Sequence, residues 1–292
     1  MKIGVIGESL IDVLTDASGA AVERPGGSPL NVAITLARLD VDVQLFTAVG
    51  DDPRGNALLA HLRDQGVEVT RGQSSAATAV ARAILDADGH ATYDFDVTWD
   101  PKFGADWPEL DVLHFGSLGA LITPGAVEVA SVIDRYAGKA LISYDPNWRD
   151  GILDADPQPI VEANAARADI VKLSEDDAAA AYPGLELEAV ARTLLDLGPG
   201  LVVITQGESG ASGWTQKATK HCPAAPIEVV DTVGAGDAFT ATLISELAEL
   251  SRDQVAALSK REIELLLDFA SFVAGKTCER AGADPPLIAE LF

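Results

Sequence analysis

Three observations predict an α/β protein: a central, mostly parallel sheet flanked by helices on both faces, with a small β-lid. Compact apolar runs alternate with longer segments of helical period along most of the 292 residues, the pattern of strand–helix–strand units. Hydrophobic residues make up 48% of the chain, the share of a packed core rather than of a disordered chain. One stretch, residues 76–98, breaks the rhythm: Asp88-Gly89 lies between two alternating segments, which signals an antiparallel hairpin.

Taken in order, residues 3–6 form a first strand and residues 29–39 a helix whose apolar positions recur at three and four residues. A strand at 43–49 and a helix at 56–65 follow. Strands are predicted at 112–115, 140–144, 170–173 and 201–205, with helices at 125–136, 160–168 and 187–197 between them. A last clear helix runs to Leu247. The whole of residues 1–292 is expected to be one domain, with a lid within it formed by about 13–25 and 76–98. Such a hairpin is either a plain edge element or a lid that also joins two copies, to which Ala79, Ala81, Ala83, Tyr93 and Phe95 would lend a partly apolar face.

Composition excludes several functions. Twenty-one Lys and Arg against 45 Asp and Glu give a formal charge of −24, unfavourable for nucleic acid and for anionic membrane surfaces. No apolar run reaches the roughly 18 residues of a membrane span. The opening residues MKIGVIGESLIDV read as a strand and not as a signal peptide. Two cysteines, Cys222 and Cys278, provide neither a disulfide framework nor a zinc site, and a cytoplasmic location is expected. The four histidines lack metal-ligand spacing; His114, inside an apolar run, is expected to be a satisfied core or cleft-wall histidine. Ala274-Gly275-Lys276-Thr277 imitates the end of a phosphate loop, but Ala270 stands where its first glycine would be required. An anionic ligand would therefore need local positive potential, from helix N-termini or a few Arg and Lys, against a negative overall field.

Two segments offer that. In Asp231-Thr232-Val233-Gly234-Ala235-Gly236-Asp237, small residues precede a helix, so backbone N–H groups and the helix dipole can hold an anion. A carboxylate beside such a cradle repels the anion, and is useful if it takes a proton from an attacking hydroxyl. The bland alternative is a glycine-rich turn capped by an aspartate. In Pro25-Gly26-Gly27-Ser28-Pro29-Leu30-Asn31, the glycines permit close backbone approach, and Asn31 brings a donor and an acceptor suited to sugar hydroxyls. Asp12 is expected at the end of the first strand, where ligands of open α/β sheets bind.

These segments, with GESLID at 7–12, AVGDDPRG at 48–55, DPNWR at 145–149, VKLSEDD at 171–177 and VVITQGESGA at 202–211, resemble the ribokinase-like (PfkB-type) carbohydrate kinases, and among them bacterial fructokinases. DTVGAGDAF at 231–239 is the most specific match. The resemblance implies that Asp237 is the catalytic base and that Gly234, Ala235 and Gly236 form the anion hole. It implies sugar contacts from Asp12, Gly26, Gly27, Asn31 and Asn147, with Arg149 facing sugar and γ-phosphate. On the nucleotide side it implies Ser174, Thr205, Gly207, Gly210, Gly236 and Ser271, within a wall that includes residues 269–282. ATP with Mg²⁺ is implied, and K⁺ is left open. Many members carry Asn-x-x-Glu where this chain has Ser174-Glu175-Asp176-Asp177; Asp177, or alternatively Glu175, would organise the metal through water.

Three readings follow. The first is an ATP-dependent kinase of a ketohexose, D-fructose to fructose 6-phosphate. The second is a kinase of 2-keto-3-deoxygluconate or a pentose. The third is a catalytically silent sugar sensor, against which Asp237 speaks, since a sensor needs no base. The expected partners are a small sugar and ATP, with neither nucleic acid nor membrane, and a possible homodimer through the lid.

Overall fold

The computed structural model describes residues 1–15, 20–85, 91–149 and 151–292; the Asp88-Gly89 turn and the side chain of Tyr93 lie outside what is described. In chain order the strands are β1 (Lys2–Ile6), β2 (Leu10–Thr15), β3 (Ala21–Gly26), β4 (Asp42–Thr47), β5 (Glu68–Arg71), β6 (Val80–Leu85), β7 (Ala91–Asp96), β8 (Val112–Gly116), β9 (Leu141–Asp145), β10 (Ile170–Ser174), β11 (Leu201–Thr205), β12 (Ala211–Trp214) and β13 (Thr219–Cys222). The helices are α1 (Ser28–Arg38), α2 (Pro53–Asp64), α3 (Gly125–Tyr136), α4 (Pro157–Ala165), α5 (Glu175–Ala181), α6 (Leu187–Asp196), α7 (Ala235–Leu247), α8 (Arg252–Ala256) and α9 (Lys260–Cys278).

Among the described residues the large sheet runs β13-β12-β11-β10-β9-β8-β1-β4-β5, parallel except for β12 and β13 at one edge. Its central strands are buried on both faces, which is why they read as unbroken apolar runs rather than as alternating ones. Leu201 and Val203 of β11 join the core under α1, α7 and α9, whereas Val202 and Ile204 join the core under α3 to α6. Phe115 and Tyr144 stack between neighbouring strands at 4.8 Å. His114 sits in this core as expected, its Nδ1 3.1 Å from Ser143 Oγ, and burial pushes its pKa down to about 3. Among the described residues no helix is long and apolar enough to cross a membrane.

A second sheet, β3-β2-β6-β7, forms the lid. Its strands alternate, because one face packs inward and the other looks out. Ile11, Val13 and Val80 are buried, while Asp12, Leu14 and Val22 are exposed. Here one expectation is corrected. Asp12 does not end the first strand: β1 stops at Ile6, and Asp12 belongs to β2 of the lid, paired with Arg24 of β3 and Ala81 of β6. The local mark between the two strands is Gly7-Glu8-Ser9, three residues in an otherwise mostly apolar run, too short for a change of period to show.

Candidate active site

The carboxyl ends of β1, β8, β9, β10 and β11 open towards the first turns of α1 and α7, the edge where ligands of open α/β sheets bind. Gly234, the residue before α7, has φ +79°, and a Cβ there would stand 2.6 Å from that of Ala283. Glycine thus meets both a left-handed backbone and a close neighbour. Asp231 ties this corner down by accepting the N–H groups of Val233 (3.1 Å) and Gly282 (2.8 Å). Helix geometry leaves the N–H groups of Gly236 and Asp237 without intrahelical acceptors.

Asp237 lies in the first turn of α7, and α1 holds it. Ser28 Oγ donates to Oδ1 (2.6 Å) and Asn31 Nδ2 to Oδ2 (2.8 Å). Burial raises its pKa above the usual aspartate value, the two hydrogen bonds oppose this, Asp145 adds to it and Lys172 opposes it. Asn31, expected to read sugar hydroxyls, therefore spends its amide nitrogen on Asp237; its Oδ1 has no donor among the described residues. No side chain among the described residues caps α1: its N-cap is Gly27, at φ +107°, where a Cβ would press to 2.8 Å from the Glu8 carbonyl oxygen.

Asp12 reaches over the same cleft from the lid. A Cβ on Gly26 would lie 2.0 Å from Asp12 Oδ2, so Gly26 makes room for this carboxylate. Asp12 is accessible to solvent, yet the surrounding walls lift its pKa to about 6, with Arg149 opposing and Asp237 adding to the rise. Arg149 is exposed, its Nη1 donating to the Trp148 carbonyl (3.1 Å). Asn147 has φ +41° and donates from Nδ2 to Ser117 Oγ (3.2 Å). Arg24, which sequence reasoning missed, carries its Nη1 to within 3.1 Å of where a Cβ on Gly282 would be, so the lid reaches the loop after α9.

On the β9–β10 side of α7, two further residues went unrecognised in the sequence. Lys172 is 4% exposed, and its Nζ lies 2.9 Å from Asp145 Oδ2, which also accepts Thr240 Oγ1 (2.9 Å). Burial would lower the Lys172 pKa, but the charges of Asp145, Asp177 and Asp237 overcome this and hold it above the ordinary lysine value. Nζ stands 3.3 Å from the Cβ position of Gly236, so the ammonium faces the end of α7. The motifs DPNWR and VKLSEDD contained both residues; the signal available was a lysine in an apolar strand, which burial makes costly unless it is paired.

Ser174 and Asp177 form a capping box at α5. Asp177 Oδ1 accepts the Trp148 N–H (2.7 Å) and Oδ2 accepts the Ser174 N–H (2.8 Å) and Oγ (2.7 Å). Burial and the Asp145 charge raise its pKa, and Ser174 and Lys172 oppose the rise. Glu175 is exposed in the same turn. Thr205 ends β11, and Gly207 and Gly210 shape the following turn at φ +51° and +99°. Ser271 lies on α9 beside Phe272, which is exposed, as are Val229, Val230 and Val233 on the segment anchored to the Cys278 carbonyl.

A carboxylate fixed beside free helix-end N–H groups, at the edge of a doubly covered parallel sheet and under a β-lid, is the plan of the ribokinase-like α/β class. Residues 2–290 match the pfkB family carbohydrate kinase pattern, and the chain belongs to that family. It is 34% identical to a fructokinase of Rhizobium leguminosarum bv. trifolii over 278 residues, 88% of this chain and 84% of that protein. The structure of a Xylella fastidiosa fructokinase with bound ATP superposes with a TM-score of 0.86 at 25% identity, covering 99% of this chain and 97% of that one. A Vibrio cholerae fructokinase double mutant bound to fructose, ADP and potassium shares the fold (TM-score 0.82, 22% identity, 99% and 96% covered).

Proposed function

We propose that the protein transfers the γ-phosphoryl group of ATP to a hydroxyl of a ketohexose, converting D-fructose to fructose 6-phosphate. The observation that carries this reading is Asp237: a carboxylate held by Ser28 and Asn31 in the first turn of α7, beside the free N–H groups. In this reading the acceptor hydroxyl lies between Asp237 and the terminal phosphate. Asp237 takes its proton as the oxygen attacks phosphorus, and the N–H groups of the Gly234-Ala235-Gly236 turn and of Asp237, with Lys172 behind them, stabilise charge on the moving phosphoryl. Gly236 and Asp237 lead, because the Ala235 N–H donates to the Thr232 carbonyl at 3.2 Å. Asp12 and Asn147 orient the sugar, Arg149 offers a planar donor to sugar and phosphate, and Gly26 and Gly27 let the backbone close on it. The exposed apolar residues Val229, Val230 and Phe272 suit the face of a purine, with Ser271 beside them. Thr205, Gly207 and Gly210 form the turn on the phosphate side, next to Ser174.

Mg²⁺ suits the donors present. Asp145 Oδ1 is buried without a hydrogen-bond partner, and hard oxygen ligands are what this cation takes. Asp145 would hold it, Asp177 and Glu175 acting through its water shell, and the bound ion would neutralise phosphate charge. Among the described residues no cluster of three His, Cys, Asp or Glu could hold a metal alone, consistent with an ion shared with ATP.

The test is ADP release by the purified protein across D-fructose, 2-keto-3-deoxygluconate, ribose and glucose, with K⁺ exchanged for Na⁺ in parallel. The expected result is the highest kcat/KM with fructose; a preference for the acidic sugar or the pentose rejects the ketohexose, and no turnover with any sugar rejects the kinase. Closure of the lid over the sugar would exclude water and limit ATP hydrolysis. We also propose that two copies meet through the lid, on the face that carries Asp12, where Leu14 and Val22 are exposed beside Ala81 and Ala83. Sedimentation should give a dimer that Leu14→Lys dissociates; a wild-type monomer at micromolar concentration overturns this. A cytoplasmic setting is proposed with these readings, consistent with the free thiols of Cys222 and Cys278.

A further inference from the structure

Glu8 is 1% exposed and lies beyond the carboxyl end of β1, where the proposed mechanism gives it no part. Its carboxylate accepts the Gly119 N–H at 2.7 Å; burial pushes its pKa up to about 7, and the Ser117 side chain beside it opposes that rise as a hydrogen-bond partner. Gly119 permits this: a Cβ there would lie 2.8 Å from Gly7 Cα and 3.1 Å from Glu8 Oε2. Above that pH the carboxylate is ionised, and a serine hydroxyl, which has one hydrogen, gives it to the charged acceptor. Ser117 Oγ is then left to accept, and it accepts Asn147 Nδ2 at 3.2 Å. Both Ser117 (φ +50°) and Asn147 (φ +41°) are held in the left-handed region without being glycine, a strain that tertiary contacts must maintain and that concentrates at functional sites. Which end of an amide faces a ligand is decided by such a chain of donors and acceptors.

We propose that Glu8 is a positioning residue: acting through Ser117, it turns the Asn147 amide so that its oxygen, rather than its nitrogen, is offered to a hydroxyl of the bound sugar. The inference rests on the sugar-kinase reading for its ligand, but not for its internal geometry. Asn147 Oδ1 has no donor among the described residues, so a sugar hydroxyl would be its partner. In Glu8→Gln, an amide NH₂ replaces an acceptor next to Ser117. Ser117 then accepts from that new amide and donates to Asn147, and the Asn147 amide turns its NH₂ towards the sugar.

The test combines kinetics and a measurement without substrate. At pH 8.5, where Glu8 is ionised, and with the sugar the wild type prefers, Glu8→Gln should raise the sugar KM about tenfold, the scale of a mismatched buried hydrogen bond, with kcat and the KM for ATP nearly unchanged. Asn147→Asp should be strongly harmful in the wild-type background, where its carboxylate meets the lone pair of Ser117. It should cost much less in the Glu8→Gln background, where Ser117 can donate to it; equal cost in both overturns the relay. In the free protein, the ¹⁵N side-chain amide signal of Asn147, identified by its loss in Asn147→Asp, should shift in both Glu8→Gln and Ser117→Ala. A signal unmoved in both overturns the proposal even if no sugar is phosphorylated, whereas absent turnover with a shifted signal counts against the kinase reading alone.

Discussion

Asp237→Asn is expected to reduce kcat by about a hundredfold or more, the usual contribution of a general base, while sugar binding stays close to wild type. The substitution is nearly isosteric and the site can absorb it. The new Oδ1 still accepts Asn31 Nδ2, and the new NH₂ donates to Ser28 Oγ, which turns from donor to acceptor. Stability should not fall. Because the folded pKa of Asp237 is raised, the protonated form is favoured in the native state, and its stabilising contribution is lost as pH rises through that pKa. A neutral side chain removes this loss, so the variant should melt at or above the wild-type temperature at pH 8. The wild-type kcat should rise with pH along an acid limb whose midpoint lies above the ordinary aspartate value, and the variant should lack that limb. Near-normal turnover in a folded Asp237→Asn protein would remove the proposed base.

Lys172→Met is expected to destabilise the protein by about 3–5 kcal/mol, the scale for stranding a buried charge, read as a lower urea midpoint. Its Nζ is the cation bonded to Asp145 Oδ2, and both residues are nearly inaccessible, at 4% and 2% exposure. Asp145 would be left near Asp177 and Asp237 with Thr240 as its one side-chain donor among the described residues. The double variant with Asp145→Asn should recover much of the loss, because the stranded charge is gone. The kcat/KM for ATP should fall about tenfold or more in Lys172→Met, on the scale of a lost charge-assisted hydrogen bond (~1.5–3 kcal/mol), and stay low in the double variant, which also lacks the Asp145 charge offered to Mg²⁺. Full recovery of activity in the double variant would mean that Lys172 serves only to balance Asp145.

The sheet was legible because its strands are buried on both faces: β11 lies at 201–205 and α3 at 125–136, as the apolar periods predict. The short elements were not. β5, β12 and β13 have four residues each, too few for a period to stand out. α5 is announced only by a capping box whose Asp177 also resembles a metal residue. Helix 160–168 begins earlier, at Pro157, because Asp156 caps it and proline fits its first turn. The lid hairpin was visible in its alternation, but its pairing with β2 was not, since β2 and β6 join in parallel across more than sixty residues of intervening chain.

By itself the sequence determined the α/β class, the family and the glycine-rich helix start with Asp237, because these depend on local period and on residue types that few other arrangements require. Only the tertiary structure decided what that carboxylate is bonded to. Ser28 and Asn31 reach it from more than two hundred residues away, Lys172 pairs with Asp145 from the neighbouring strand, and Glu8 meets Gly119 across the sheet. Hydrogen bonds and charge pairs act over a few ångströms in space, and spacing along a chain carries no record of which groups burial will bring that close.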